Sequence, residues 1–243
     1  MNRFYVQPSS NHTCKIVEPD DIKHISKVLR LTNGDHLEIC DGKGNEYFGT
    51  ITAVGQSGID LKLTGPLEIP RELPAEIWLF QGITKGQKWD YLIQKAVEAG
   101  VHHIVPVAMH RSVSKISDEK ADKKTDRWQK IADEAAKQSK RGVLPQFHSP
   151  LSFKEALAMQ ADFDLVLTAF EGERENKLKT VADRVVSSKR IALWVGPEGG
   201  IELKEAEALA AVGPLITLGH RILRTETAPV VLLAQLSYIL ETS

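Results

Sequence analysis

The chain has little cysteine: among 243 residues only Cys14 and Cys40 carry a thiol, and neither has CxxC spacing or clustered histidines nearby. That pattern argues against a zinc site and a disulfide framework, so both are read as ordinary packed or surface thiols. The adjacent pair His102-His103 would point to opposite faces of a strand, and no metal site is expected. No apolar run is long enough to cross a bilayer. The opening residues Met1-Asn2-Arg3-Phe4-Tyr5-Val6-Gln7-Pro8 lack the apolar stretch and small-residue cleavage site of a signal peptide, so a cytoplasmic protein is expected. The phosphate loop GxxxxGK(S/T) and the dinucleotide fingerprint GxGxxG are also missing, which disfavours the common nucleotide-binding classes. Finally, there is no excess of one charge: the formal net charge is -1, so a nucleic-acid surface would have to come from local asymmetry.

What is present fits a globular protein with a substantial core, since 42% of residues are hydrophobic and 26% are charged. Between Arg111 and Arg141 the bases Arg111, Lys115, Lys120, Lys123, Lys124, Arg127, Lys130, Lys137, Lys140 and Arg141 outnumber the acids Asp118, Glu119, Asp122, Asp126, Asp133 and Glu134. Taken alone, this is better explained by a solvated helix face than by an RNA footprint.

The first stretch reads as β-rich, with runs at Arg3 to Val6, Asp35 to Cys40, Tyr47 to Val54 and Ile59 to Thr64, and a hairpin signal at Asp41-Gly42. A small barrel or sandwich is expected there. One helix interrupts it from Pro19 to Leu29, with Ile22, Ile25, Val28 and Leu29 on one face and Lys23, Lys27 and Arg30 on the other. The segment Leu67-Glu68-Ile69-Pro70-Arg71-Glu72-Leu73-Pro74 reads as a linker, which gives domains over 1–70 and 74–243. Beyond it, apolar strands alternate with helices: Ile77 to Ile83, Gln87 to Ala99, His103 to Val107, Asp122 to Ser139, Leu151 to Met159, Asp164 to Phe170, Leu178 to Val186, Arg190 to Val195, Glu202 to Val212, Leu215 to Leu218 and Ala228 to Leu240. Such alternation predicts a mostly parallel sheet covered on both faces.

In open α/β sheets ligands bind beyond the carboxyl ends of strands, which singles out three loops. They are Thr168-Ala169-Phe170-Glu171-Gly172, Gly196-Pro197-Glu198-Gly199-Gly200, and Leu218-Gly219-His220-Arg221-Ile222-Leu223-Arg224-Thr225-Glu226-Thr227-Ala228. The glycines of the second let main-chain groups approach an adenine or ribose, while the carboxylate of Glu198 would repel a pyrophosphate. A tight strand-to-helix turn would use the same residues. In the third, Thr227 and Pro229 are explained by the start of a helix, but Arg224 and Glu226 are costly near a sheet end unless paired or facing a ligand.

These two loops, together with Lys85-Gly86-Gln87-Lys88, Gln94-Lys95-Ala96, Arg111-Ser112-Val113, Gln138-Ser139, Arg3-Phe4 and Val28-Leu29-Arg30, resemble the SPOUT superfamily, specifically the bacterial 16S ribosomal RNA uracil-N3 methyltransferases. The resemblance covers nearly the whole chain. Val97-Glu98-Ala99-Gly100 departs from the usual Thr-Glu-Leu-Gly, and Glu202 stands where a serine or threonine cap is common. The resemblance implies an α/β fold class with an N-terminal PUA-like β-barrel for RNA binding and a C-terminal trefoil knot. It also implies a homodimer, S-adenosyl-L-methionine as cofactor, and 16S ribosomal RNA, within the small ribosomal subunit, as partner. Carried over, the cofactor contacts are Thr168, Gly196, Pro197, Glu198, Gly199, Gly200, Leu218, Gly219, Leu223, Thr225 and Ala228.

Attack by uridine N3 requires loss of a weakly acidic proton. Arg224 is the candidate for stabilising the resulting anion. Glu226 is a possible proton acceptor or a partner of Arg224. The candidate RNA contacts are Arg3, Lys27 and Arg30 in the first domain and Lys85, Lys88, Arg111, Lys140 and Arg141 in the second. The alternatives are a 2′-O-ribose or guanine methyltransferase of the same architecture, a catalytically silent RNA-binding module, and a nucleotide-dependent oxidoreductase.

Overall fold

The computed structural model describes residues 2–10, 12–67, 71–86, 88–112 and 118–242, with only the backbone at 118–122. Glu68, Ile69 and Pro70 of the expected linker, Gln87, Val113 and Lys115 lie outside the described residues, as do the side chains of Asp118, Glu119, Lys120 and Asp122. None of the described helices is long and apolar enough to cross a membrane.

The chain divides into two compact units, Met1–Glu72 with Ala136–Leu144, and Leu73–Ala135 with Pro145–Ser243. This corrects the expectation of a single boundary near residue 70. Residues 136–144 belong to the first unit because its polar groups are satisfied by them. Glu72 accepts from the Arg141 guanidinium at 2.6 Å and from the amides of Gly142 and Val143 at 2.8 and 3.1 Å. The Gly142 carbonyl accepts from Gly44 N and from the Cys40 thiol, both at 3.0 Å.

The first unit contains β1 (Arg3–Tyr5), β2 (Thr13–Ile16), α1 (Pro19–Lys23), β3 (His36–Cys40), β4 (Glu46–Gly55) and β5 (Gly58–Leu67). They form one five-stranded sheet in the order β1-β3-β4-β5-β2, with β1 and β2 at the edges. Alternation along β5 buries Ile59, Leu61 and Leu63 and leaves Lys62 and Thr64 in solvent. The expected turn after Cys40 is closed by Asp41, whose carboxylate accepts from Lys43 N and Asn45 N at 2.8 and 3.0 Å. After α1 the helix widens into a π turn over His24–Val28, in which Leu29 N donates to His24 O at 2.9 Å. A π turn holds more residues than an α turn, so the expected apolar face breaks: Ile25 is fully buried, while Val28, three residues on, is 64% exposed. Cys14 and Cys40 are buried free thiols, and burial pushes Cys14 up to about 11.

Two expected RNA contacts are structural. The Arg3 side chain is 2% exposed and bonds Glu46, the Lys140 carbonyl at 3.0 Å and the Arg141 carbonyl at 2.7 Å. Arg141 is 4% exposed and held by Glu72. Neither guanidinium is presented to a phosphate. Lys140 is ion-paired with Glu38 at 3.0 Å.

The second unit contains β6 (Glu76–Gly82), α2 (Lys88–Glu98), β7 (His103–Ala108), α3 (Asp118–Ser139) as far as Ala135, β8 (Gln146–Phe147), β9 (Leu151–Ser152), α4 (Phe153–Ala158), β10 (Leu165–Ala169), α5 (Ala182–Ser187), β11 (Arg190–Val195), α6 (Leu203–Ala210), β12 (Leu215–Ile216) and α7 (Ala228–Thr242). The sheet runs β12-β10-β11-β6-β7-β8, with β9 also pairing β7, and every pairing is parallel. Residues of both parities are buried in β6 and β11, Ile77 and Leu79 as fully as Phe80, Leu193 as fully as Trp194. Both faces of the sheet are therefore covered. On the face bearing Phe80 and Trp194 the core includes Ala156 of α4 and Ala206 and Leu209 of α6. Helix α7 packs against α2 and α5. Glu202 serves at the start of α6 in place of the usual hydroxyl residue: its N–H donates to Glu205 at 3.2 Å, closing the turn reciprocally.

At the amino ends of these strands His103 stacks on Trp78 at 3.9 Å and its Nδ1 lies 3.0 Å from Nε2 of His148. Burial, then the neighbouring His148, depresses His103 to about 4. A base depressed in the folded state favours folding above its unfolded value, near 6.5, and that contribution is lost as pH falls through about 4. Stability should drop by on the order of 2 kcal/mol across that window. Urea midpoints measured from pH 7 to 4 check this; His103→Gln should flatten the decline, and an unaltered decline would refute the assignment.

Candidate active site

At the carboxyl ends of β10, β11 and β12 the second unit opens a cavity of about 460 Å³. Its walls contain all five residues Gly196 to Gly200, together with Leu218, Gly219, Leu223, Thr225 and Ala228, and also Arg224 and Glu226. Ten of the eleven residues expected to hold a cofactor thus meet in one place. Thr168 is the exception. It is fully buried within β10 and the wall begins one residue later, at Ala169; its hydroxyl has no hydrogen-bond partner among the described residues.

The two main loops are locked to each other. Thr225 Oγ1 donates to the Gly196 carbonyl at 2.8 Å and accepts from the Gln81 amide at 3.1 Å, while that amide also reaches Gly196 O at 3.2 Å. Gln81 is fully buried at the end of β6. Next to it, Gly82 lies so close to the second loop that a Cβ would stand 2.4 Å from Pro197 N, a backbone contact with no room to relax. Gly200 turns the loop with φ of +74°, and a Cβ there would run into the Glu171 carboxylate. The cavity is therefore formed by backbone approach that only glycine permits, as the sequence predicts for a loop that wraps a ligand.

Charge is distributed unevenly around the opening. Glu198 accepts from Lys85 N at 3.1 Å and lies 3.5 Å from Lys88 Nζ. Lys88 Nζ is also 3.8 Å from Glu226, so the partner of Glu226 is Lys88 and not Arg224. The Arg224 side chain is exposed at the cavity wall and makes no hydrogen bond or ion pair to a described residue; its carbonyl accepts from Thr227 N and Ala228 N to start α7. Arg111 reaches the loop from outside, donating to Gly199 O at 3.2 Å. Lys85, Lys88 and Arg111 therefore gather around the Gly196–Gly200 loop, whereas Lys27 and Arg30 are exposed residues of the first unit.

Sequence reasoning missed Gln81, Lys88 as part of the wall, and Arg174, and it placed Glu171 in a candidate loop without giving it a role. Gln81 carried a signal: it is a polar residue at the carboxyl end of the apolar run Ile77 to Phe80, where ligand sites of parallel sheets form. Arg174 had none, because only the return of the chain after β10 brings it to the cavity.

Comparison with known proteins bears on this geometry. Residues 71–237 match a family profile described as RNA methyltransferase domain, and residues 17–64 one described as RNA methyltransferase PUA domain. Ribosomal RNA small subunit methyltransferase E of Bacillus subtilis (strain 168) is 36% identical over 224 residues, covering 90% of this chain and 88% of the relative. Two solved structures superpose over most of the chain. Ribosomal RNA small subunit methyltransferase E from Neisseria gonorrhoeae, bound to S-adenosyl methionine, is 31% identical with a TM-score of 0.85, covering 98% of this chain and 97% of the other. A methyltransferase from Legionella pneumophila in complex with the bound cofactor SAM is 30% identical with a TM-score of 0.81, covering 97% and 96%. The first unit is accordingly PUA-like, the second holds the candidate site, and the chain belongs to the RNA methyltransferase family that includes ribosomal RNA small subunit methyltransferase E.

Proposed function

We propose that the chain transfers the methyl group of S-adenosyl-L-methionine to N3 of a uridine in 16S ribosomal RNA, acting in the cytoplasm on the small ribosomal subunit. The observation that carries this reading is the cavity whose walls are the two loops braced by Gln81 and Thr225. The residues fit the cofactor. A volume of about 460 Å³ is in the range of small-molecule sites. Val195, Leu218 and Leu223 offer apolar contact, glycine backbone offers hydrogen bonds to an adenine, and Glu171 offers a carboxylate to a cationic ligand. When bound, the cofactor supplies an electrophilic methyl carbon on a positively charged sulfur.

The protein's own part is to prepare the uracil. Arg224, at the wall with its guanidinium unengaged, is placed to neutralise charge developing on the uracil oxygens as N3 loses its proton. Glu226 is the carboxylate available to take that proton. Lys85 and Arg111 beside the loop, and Lys27 and Arg30 on the PUA-like unit, provide the RNA grip. Arg30 adopts a left-handed conformation, φ +54°, the kind of local strain that persists at working positions.

Two features of the reading concern architecture. Thr225, which follows β12, is gripped between Gly196 after β11 and Gln81 of β6, and this supports a trefoil knot in the C-terminal part. Helix α7 is apolar nearly all round, with Tyr238 70% exposed, which supports a homodimer that covers it. The test is nucleoside mass spectrometry of small subunits incubated with the protein and the cofactor. New 3-methyluridine is expected; a 2′-O-methyl nucleoside or methylguanosine would replace the assignment, and no methylation would favour a silent RNA-binding module.

A further inference from the structure

We propose that Lys88 is a positioning residue for proton removal, holding the Glu226 carboxylate where it accepts the uridine N3 proton; this rests on the methyltransferase reading above. Lys88 is the first residue of α2 and joins neither loop covalently, yet its ammonium lies 3.5 Å from Glu198 and 3.8 Å from Glu226, one on each loop. The two carboxylates are not equivalent. Glu198 is already engaged by Lys85 N and is 23% exposed, so it serves as the anchor of the lysine. Glu226 is 14% exposed, and its Oε2, the oxygen that faces the Lys88 ammonium at 3.8 Å, is buried without a hydrogen bond to a described residue. A buried carboxylate oxygen that accepts nothing is costly unless a donor arrives to meet it. The N3–H of a bound uracil is such a donor.

The division of labour follows. Glu198 fixes Lys88, Lys88 fixes the orientation of Glu226, and Glu226 takes the proton. In the step, the N3–H bond breaks with its proton passing to Glu226, the N3 electron pair forms the bond to the methyl carbon, and the carbon–sulfur bond breaks with its pair remaining on sulfur. Protonated Glu226 then releases its proton to water.

A lysine that instead gripped phosphate would act on affinity and on its salt dependence, and the two roles separate cleanly in Lys88→Met. Small subunits lacking the modification serve as substrate, with calorimetry for the cofactor and binding curves over a salt series for the RNA. Expected are a fall in kcat of about 10²-fold and unchanged KM for RNA, salt slope and cofactor affinity. Lys88→Arg, which keeps the cation, should recover most of kcat. Normal kcat in Lys88→Met overturns the proposal. So does a loss confined to RNA affinity with the salt slope reduced by about one, the signature of a phosphate contact. Failure of the wild-type protein to form 3-methyluridine instead overturns the substrate reading, and the proposal with it.

Discussion

Arg224→Ala is expected to lower turnover by about 10²- to 10³-fold while leaving affinity for S-adenosyl-L-methionine within about twofold. The expectation comes from what this side chain does not do. Every other group that stabilises the two loops is tied down: Thr225 to Gly196 and Gln81, Glu198 to Lys85 N, Arg111 to Gly199. Arg224 contributes only its carbonyl to the start of α7, and alanine supplies the same carbonyl. The guanidinium is thus free for charge that appears during reaction, and removing it should affect kcat more than folding. Lysine at this position should recover part of the loss, because a point charge replaces the planar fork without its bidentate geometry. Single-turnover rates and calorimetry decide the matter. Turnover within a factor of three of wild type would take Arg224 out of the chemistry, and a parallel collapse of cofactor affinity would make it a binding residue.

The second large effect is on stability. Arg3→Ala should cost about 3–5 kcal/mol, because among the described residues it leaves the Glu46 carboxylate, 5% exposed, with only the Arg71 cation at 3.2 Å to answer it. It also removes the guanidinium donor from the carbonyls of Lys140 and Arg141, the second of which keeps the Tyr5 hydroxyl. The combined variant with Glu46→Gln should be less destabilised than the single one, since the uncompensated charge is gone. Urea unfolding of the three proteins measures the coupling, and a single-variant loss below about 1 kcal/mol would put the pair in the class of surface ion pairs. Neither variant should change the salt slope of RNA binding, which separates Arg3 from Lys27 and Arg30, where a reduced slope is expected.

Much of the parallel sheet was legible because its strands are near-continuous apolar runs, as in Ile77 to Phe80 and Ile191 to Val195, bounded by glycine. The short strands β2, β8 and β9 were not, because two to four residues carry no period. The helix after Pro19 was read correctly in its extent but not in its apolar face, since a π turn leaves no mark in the spacing of Ile22, Ile25 and Val28. In the site, loop chemistry located the residues whose backbone forms the wall, as at Gly196 to Gly200. The charged side chains were harder. Arg3, Arg141, Lys85 and Lys88 look alike in sequence, and only burial and partners divide them into structural ion pairs and cavity neighbours.

The first unit is completed by Ala136–Leu144, so it is discontinuous in the chain. During synthesis from the amino end its sheet can pair early, but Glu72 and the Gly142 carbonyl bonds stay unmade until residue 144 has emerged. A fragment that stops at residue 72 is consequently an unfinished domain, and an RNA-binding unit grafted elsewhere would have to carry the later segment with it. Gene fusions that exchange such units should therefore find their viable breakpoints outside 136–144, a constraint on recombination written by a handful of hydrogen bonds.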